Sequence, residues 1–210
     1  INEIVYMGLG APWQTGPFKE SKWYNEKLGS QYIQHDVKQA NEILDRLGLT
    51  KRDADGYRTF PAGGRVSLDA IVAIQLAQQI EVLELVRKQW SKIGVELVIQ
   101  AAERSLTFDR ANSNDYDICV DVAPGGMDAT MNPRPYLTIH PEARQSVQWA
   151  KWYLSGGKQG EEPNPSVKKR LALYEQWRAA KSSTEAERLF REILAIAADE
   201  FEVLGVVRPP

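Results

Sequence analysis

The chain has 210 residues, a formal net charge of −2 and 43% apolar side chains. That composition belongs to a folded globule and excludes a disordered chain, and the charge offers no basic field for nucleic acid or an acidic membrane surface. No run approaches the roughly 18 apolar residues that span a bilayer. The single cysteine, Cys119, can form no internal disulfide and reads as a small buried hydrophobe.

The first residues, INEIVYMG, carry no initiating methionine and no signal peptide. They read as the tail of a helix and mark the chain as a segment of a longer protein. Residues 9–35 are expected to be irregular, broken by Pro12, Gly16 and Pro17 and pinned by Trp13, Phe18, Trp23 and Tyr24. Asp36 and Gln39 form a capping box for a helix whose apolar stripe is Val37, Ala40, Ile43, Leu44 and Leu47, ended by Gly48. Alternation from Val66 through Leu68, Ala70 and Val72 to Ile74 predicts a strand. A helix follows on Ile80, Leu83, Val86, Trp90 and Ile93, closed by Gly94. Then come a strand with Val95, Leu97 and Ile99 on one face, a short helix over 105–113, and a third strand, YDICVDV. Strand–helix–strand–helix–strand predicts an α/β layer with parallel pairing. The remainder reads as helical: one helix over 141–154, one from Pro165, and a last one capped by Thr184 and Glu187, before a final strand in 201–210.

Known catalytic and metal patterns do not explain this chain. His35 and His140 lie in loop contexts without partners at ligand spacing, and no phosphate loop or nucleophile elbow is present. RDADGYR lacks the glutamate that closes a calcium loop and reads as a turn with Gly56 at positive φ. Asp117 and Asp121 share a strand face; a carboxylate pair is conceivable, but Asp117 is better placed to pair locally, with Asp121 nearer the functional end. In open α/β sheets ligands sit beyond the carboxyl ends of strands. Those ends are AAERS, holding Glu103 and Arg104, and VAPGGMDA, where Gly125 and Gly126 admit a ligand to the backbone beside Met127 and Asp128. Trp13, Trp23, Trp149 and Trp152 are packing residues of irregular segments or walls of a ligand cavity.

Several segments in order carry a resemblance: GLGAPWQTGPF, HDVKQANEILDRLGLTKRDADGYR, ELVRKQWSKIGVELVIQAAERSLTFDR, NDYDICV and the late helical pair from NPSVKKRL to LAIAADE. Together they resemble extracellular solute-binding proteins of ABC importers, family 5, which include the peptide-binding proteins. The resemblance implies a periplasmic-binding-protein-like (class II) α/β lobe, three-layered, with a mostly parallel sheet and a helical C-terminal part. It divides the chain into an irregular segment over 1–35, an α/β core over 36–122, a cleft loop with helices over 123–200 and a strand over 201–210. It implies a periplasmic or extracellular receptor, free or membrane-tethered, without enzymatic activity or cofactor. Its partners would be a peptide- or oligosaccharide-like solute, an ABC permease and the N-terminal lobe of the same protein. By position, Asp128 matches the acid of the family's cleft-loop pair, with Ala129 in place of the usual proline. The family's amino-group-binding acid falls near Gly125, which has no side chain, so a free peptide N-terminus fits poorly. The ligand-contact set is therefore Asp128, Gly125, Gly126, Met127, Arg104, Glu103, Trp13 and Asp121. The alternatives are a free-standing α/β hydrolase-like enzyme using Asp121, Asp128 and Arg104, or an interaction domain using the C-terminal helices.

Overall fold

A computed structural model describes residues 1–122 and 126–208. The chain folds into two compact units: one is built mainly from residues 34–121, the other from residues 6–33 and 122–210.

Residues 6–33 begin the second unit, after a one-turn helix whose residues 3–5 cluster with the first. A one-turn helix α1 (Asn2–Val5) precedes the short strand β1 (Ala11–Pro12) and helix α2 (Glu26–Ser30). Helix α2 lies inside a stretch expected to be irregular. Asn25 starts it by accepting from the Leu28 N–H, and Leu28 is buried.

The 34–121 unit begins with α3 (Val37–Arg46), whose N-cap Asp36 accepts from the Gln39 N–H. Beyond it, Arg58 is buried at 3% exposure and donates to Asp45, to the Asn41 side chain and to the Ile93 carbonyl. Strand β2 (Ser67–Ala73), helix α4 (Ala77–Ile93), strand β3 (Glu96–Ala102), helix α5 (Arg104–Asn112) and strand β4 (Ile118–Val120) follow. The three strands form one parallel sheet in the order β3-β2-β4. The predicted third strand is shorter than its apolar run, yet Asp117 continues the pairing. Its N–H donates to the Asp69 carbonyl and its carboxylate accepts the Asp69 N–H at 2.8 Å.

Period-2 alternation places Leu68, Ala70 and Val72 beside Leu97, Ile99, Ile118 and Val120, all packed with Leu83, Ile80, Val86 and Trp90 of α4. Ile71, at the opposite face of β2, is equally buried, and α5 packs against β2 and β3. The unit is thus a three-layer α/β/α sandwich, which is why the second half of β2, Ala70 to Ala73, is apolar on both faces. Gly94 ends α4 at φ 81°, a left-handed conformation suited to glycine.

The helical part of the other unit comprises α6 (Val147–Leu154), α7 (Pro165–Ala179) and α8 (Ser183–Glu200). Its core joins Leu189, Phe190, Ile193 and Leu194 of α8 with Leu173, Tyr136, Leu137 and Trp23. Three expectations are corrected here. Helix α6 starts at Val147, not near Pro141, because 134–145 is held by its own side chains. Arg134 donates to Asn132 and Glu142, Gln145 donates to the Arg134 carbonyl, and His140 Nδ1 caps the Glu142 N–H, leaving Ser146 as the N-cap. The cap of α8 is Ser182, accepting from the Glu185 N–H, two residues before Thr184. The overlapping sequence SSTEAE offers both registers, and the helix extends back to the earlier one. Finally, residues 202–206 form no strand; only β5 (Val207–Arg208) does, antiparallel to β1.

Candidate functional site

In the 34–121 unit the carboxyl ends of the parallel strands present Gln75 after β2, Glu103 and Arg104 after β3, and Asp121 after β4. Gln75 Nε2 donates to Glu103 Oε2 at 3.1 Å. The Arg104 guanidinium lies over the Phe108 ring, 5.2 Å from its centroid, at the first turn of α5. Strand β2 separates β3 from β4, so Glu103 and Asp121 terminate strands about 10 Å apart. Asp117, the other acid of the third strand, is committed to the backbone of β2. The edge therefore carries amide, carboxylate and guanidinium groups at the place where the α/β sandwich exposes backbone termini and the N-terminus of α5.

In the other unit the loop after β4 is stapled to the first aromatic segment. The Phe18 N–H donates to the Gly126 carbonyl at 3.2 Å, Ser21 Oγ to the Met127 carbonyl at 2.5 Å, and Trp23 Nε1 to Asp128 Oδ1 at 2.9 Å. Asp128 Oδ1 also accepts from the Thr130 N–H at 2.9 Å and the Thr130 hydroxyl at 2.6 Å. The Thr130 hydroxyl holds the carboxyl of this residue below its ordinary 3.8, against partial burial that would raise it. The Thr130 N–H, the Trp23 indole and the charge of Lys22 act in the same lowering direction. Among the described residues these bonds all use Oδ1. Met127 is 54% exposed beside it. Trp23 is buried, meets Phe190 of α8 edge-on at 5.0 Å, and carries Lys22 over its ring. The loop acid is thereby tied to the helical core through one indole.

Trp13 is also buried. It donates to the Gly16 carbonyl, stacks on Tyr24 and packs closely over Gly29. Gly125 lies outside the described residues. Reading the sequence did not single out Ser21, Thr130 or Gln75. The only available signal was the aromatic density of 13–24, which marks that segment as anchored without showing what it anchors.

RDADGYR is a turn that serves an arginine. Asp53 Oδ1 accepts the N–H groups of Asp55 and Tyr57, and its Oδ2 accepts Arg65 Nε at 2.7 Å; Gly56 has φ 87°. Among the described residues no group of three or more His, Cys, Asp or Glu could hold a metal ion, and no helix is long and apolar enough to cross a membrane.

A parallel α/β/α sandwich with polar strand ends, linked to a helical unit, defines a lobe of the periplasmic-binding-protein fold. The sequence pattern described as bacterial extracellular solute-binding proteins, family 5 Middle, matches residues 1–142, and the chain belongs to that family. Among solved structures, the oligopeptide-binding protein OppA superposes with a TM-score of 0.84 at 26% identity, over 99% of this chain and 35% of its own. MelB from Agrobacterium fabrum, a periplasmic binding protein in complex with stachyose, gives 0.74 at 16% identity, over 95% of this chain and 29% of its own. NikA from Brucella suis, in complex with Fe(III)-EDTA, gives 0.73 at 17% identity, over 98% and 39%. The chain thus spans about a third of the length of the structures it matches. No curated protein sequence matches it.

Proposed function

We propose that the chain is a ligand-binding lobe of an ABC-importer solute receptor, working outside the cytoplasmic membrane and delivering a solute to a permease. The observation that carries this reading is the family match over residues 1–142, on a sheet whose carboxyl edge is polar. Such a lobe binds by differential affinity for an open and a closed state and performs no covalent step. In the α/β unit the solute-facing groups are Glu103, Arg104 and Asp121. In the other unit they are Gly126, Met127 and Asp128, with Gly125 completing that loop by sequence. Trp13 supports the loop from within the core, since its ring is already occupied by Tyr24 and Gly29.

Asp128 offers a solute donor a carboxylate that is fixed and kept ionised, with Oδ2 outside the bonds that hold it. This favours a solute bearing hydroxyl or amide donors, an oligosaccharide or the middle of a peptide. The OppA and MelB structures concern an oligopeptide-binding protein and a stachyose complex, so both solute types occur within the fold.

The test is mass spectrometry of small molecules that co-purify with the full-length protein, followed by calorimetric titration of the compound found. A saturable solute whose affinity falls on Asp128→Ala or Asp121→Ala supports the reading. Turnover of that solute, or retention of full affinity in both variants, sinks it.

A further inference from the structure

Lys22 stands between two buried residues that are both bonded to the loop after β4. Ser21 is 7% exposed and donates through Oγ to the Met127 carbonyl; Trp23 is 4% exposed and donates through Nε1 to Asp128 Oδ1. The Trp23 N–H donates to Ser21 Oγ at 3.0 Å, and the Lys22 carbonyl accepts from Arg191 of α8. The backbone of Lys22 is thereby fixed on both sides and at its own carbonyl. Its side chain folds back over the Trp23 ring, with Nζ 4.6 Å from the centroid.

One indole therefore carries an ammonium on its face and a carboxylate at its N–H edge, and keeps them apart. Among the described residues neither Lys22 nor Asp128 makes an ion pair. Arg191 lies 5.9 Å from the same ring, but its guanidinium is paired with Glu187 at 2.8 Å, so the uncompensated cation at this ring is Lys22. Its charge is felt at the acid. The Thr130 hydroxyl is the main cause of the low Asp128 value, and Lys22 acts in the same direction across the ring. Asp128 Oδ1 is taken by Trp23 and Thr130, which leaves Oδ2 as an acceptor, while Lys22 Nζ keeps its donors. The pair is neutral in sum.

We propose that Lys22 is a specificity-determining residue of the loop site: with Asp128 it forms a donor–acceptor pair that selects an uncharged secondary amide of the solute over an ammonium. The amide N–H donates to Asp128 Oδ2 and the amide carbonyl accepts from Lys22 Nζ. A trans amide points these two groups in opposite directions, which suits partners held apart by an indole. An ammonium gains the same bond to Asp128 but brings no acceptor for Lys22 and meets its like charge. The inference rests on the reading of the 126–128 loop as solute-facing, and it adds to that loop a residue outside the expected contact set.

The experiment uses the full-length receptor and two probe pairs that differ only in acetylation. One pair is trialanine amide and its N-acetylated form; the other is the glucosamine trimer and the N-acetylglucosamine trimer. Binding is followed through the Trp23 indole N–H resonance and by calorimetry at about pH 6, where the amines are charged. The acetylated member of at least one pair should bind as well as or better than its amine, and the pair that responds tells a peptide from a sugar. Lys22→Met should move the preference toward the amine by about two- to fivefold, and the shift should shrink as salt rises. Lys22→Arg should keep the wild-type ratio, and so should Lys27→Met, which removes an equal charge elsewhere in the unit, where it pairs with Asp199. An unaltered ratio in Lys22→Met, a wild type that prefers the ammonium, or a shift that Lys27→Met reproduces overturns the proposal. Silence of the indole resonance with both pairs at millimolar concentration overturns it too, whereas the receptor reading itself stands or falls on the co-purified solute.

Discussion

Asp128 shows how one side chain joins a loop to a core. Its Oδ1 gathers the Trp23 indole and two Thr130 donors. Asp128→Ala should cost about 1 kcal/mol at neutral pH by leaving the indole unpaired, while Asp128→Asn should cost less because an acceptor remains. The carboxyl is depressed on folding, so its stabilisation is complete above the ordinary value of 3.8 and is lost as pH falls through the lower folded value. Urea midpoints of wild type and Asp128→Asn should therefore differ at pH 7 and converge below pH 3.8; a gap that widens in acid would contradict this. Arg170 poses a different residue-scale case. Its side chain is 2% exposed, with Nη2 bonded to both Glu202 oxygens at 2.7 and 2.6 Å and Nη1 to the Tyr136 carbonyl. Glu202→Gln strands a buried cation and should cost about 3 kcal/mol. The double variant Arg170→Met/Glu202→Gln should recover most of that loss, measured by urea unfolding. Neither the Trp23 bond to Asp128 nor the partners of Arg170 could be read in the sequence, because these bonds join positions far apart in the chain.

At the scale of elements, periodicity and capping carried much further. The N-cap of α3, the strand β2 and the Gly94 stop of α4 all lie where apolar spacing and terminal residues place them, whereas the α3 stripe is only half-buried and loses Leu47, which is 67% exposed past the helix end. These features are local, and each has a physical cause within a few residues. The errors arise where two local solutions compete, as in SSTEAE, or where side-chain bonds replace helical ones, as in 134–145. The cap of α8 separates those possibilities by experiment. Ser182→Ala should lower stability by about 1 kcal/mol, whereas Thr184→Ala, already inside the helix, should change it by less than about 0.5 kcal/mol. Thermal unfolding of both variants checks the difference.

For the molecule as a whole, the α/β class and the solute-binding family were legible because they depend on element order and on an ordered set of segments. The candidate site was legible only in part. Strand ends point to Glu103, Arg104 and Asp121 by topology alone, but the staple from residues 18–23 to the loop at 126–128 depends on packing across the chain. If the solute is held between this lobe and another, the 210-residue chain should bind it at least about a hundredfold more weakly than the full-length receptor, since about 2.7 kcal/mol of contacts would be absent. Parallel calorimetric titrations check this, and matched affinities would show that one lobe suffices.

The β1–β5 ribbon bears on the order of folding. Ala11 pairs with Arg208 and Pro12 with Val207, nearly the whole chain apart, and Gln14 and Thr15 reach across to Gly205 and Val203. Gly205 sits so close to the Trp13 and Gln14 backbone that an added Cβ would lie 2.6 Å from the Trp13 carbonyl oxygen. Closing so long a loop is entropically unfavourable until the intervening residues are compact, whereas the α7–α8 hairpin closes over a few residues. By that cost the ribbon is expected to close after the α7–α8 hairpin, as a clasp over a chain already compact.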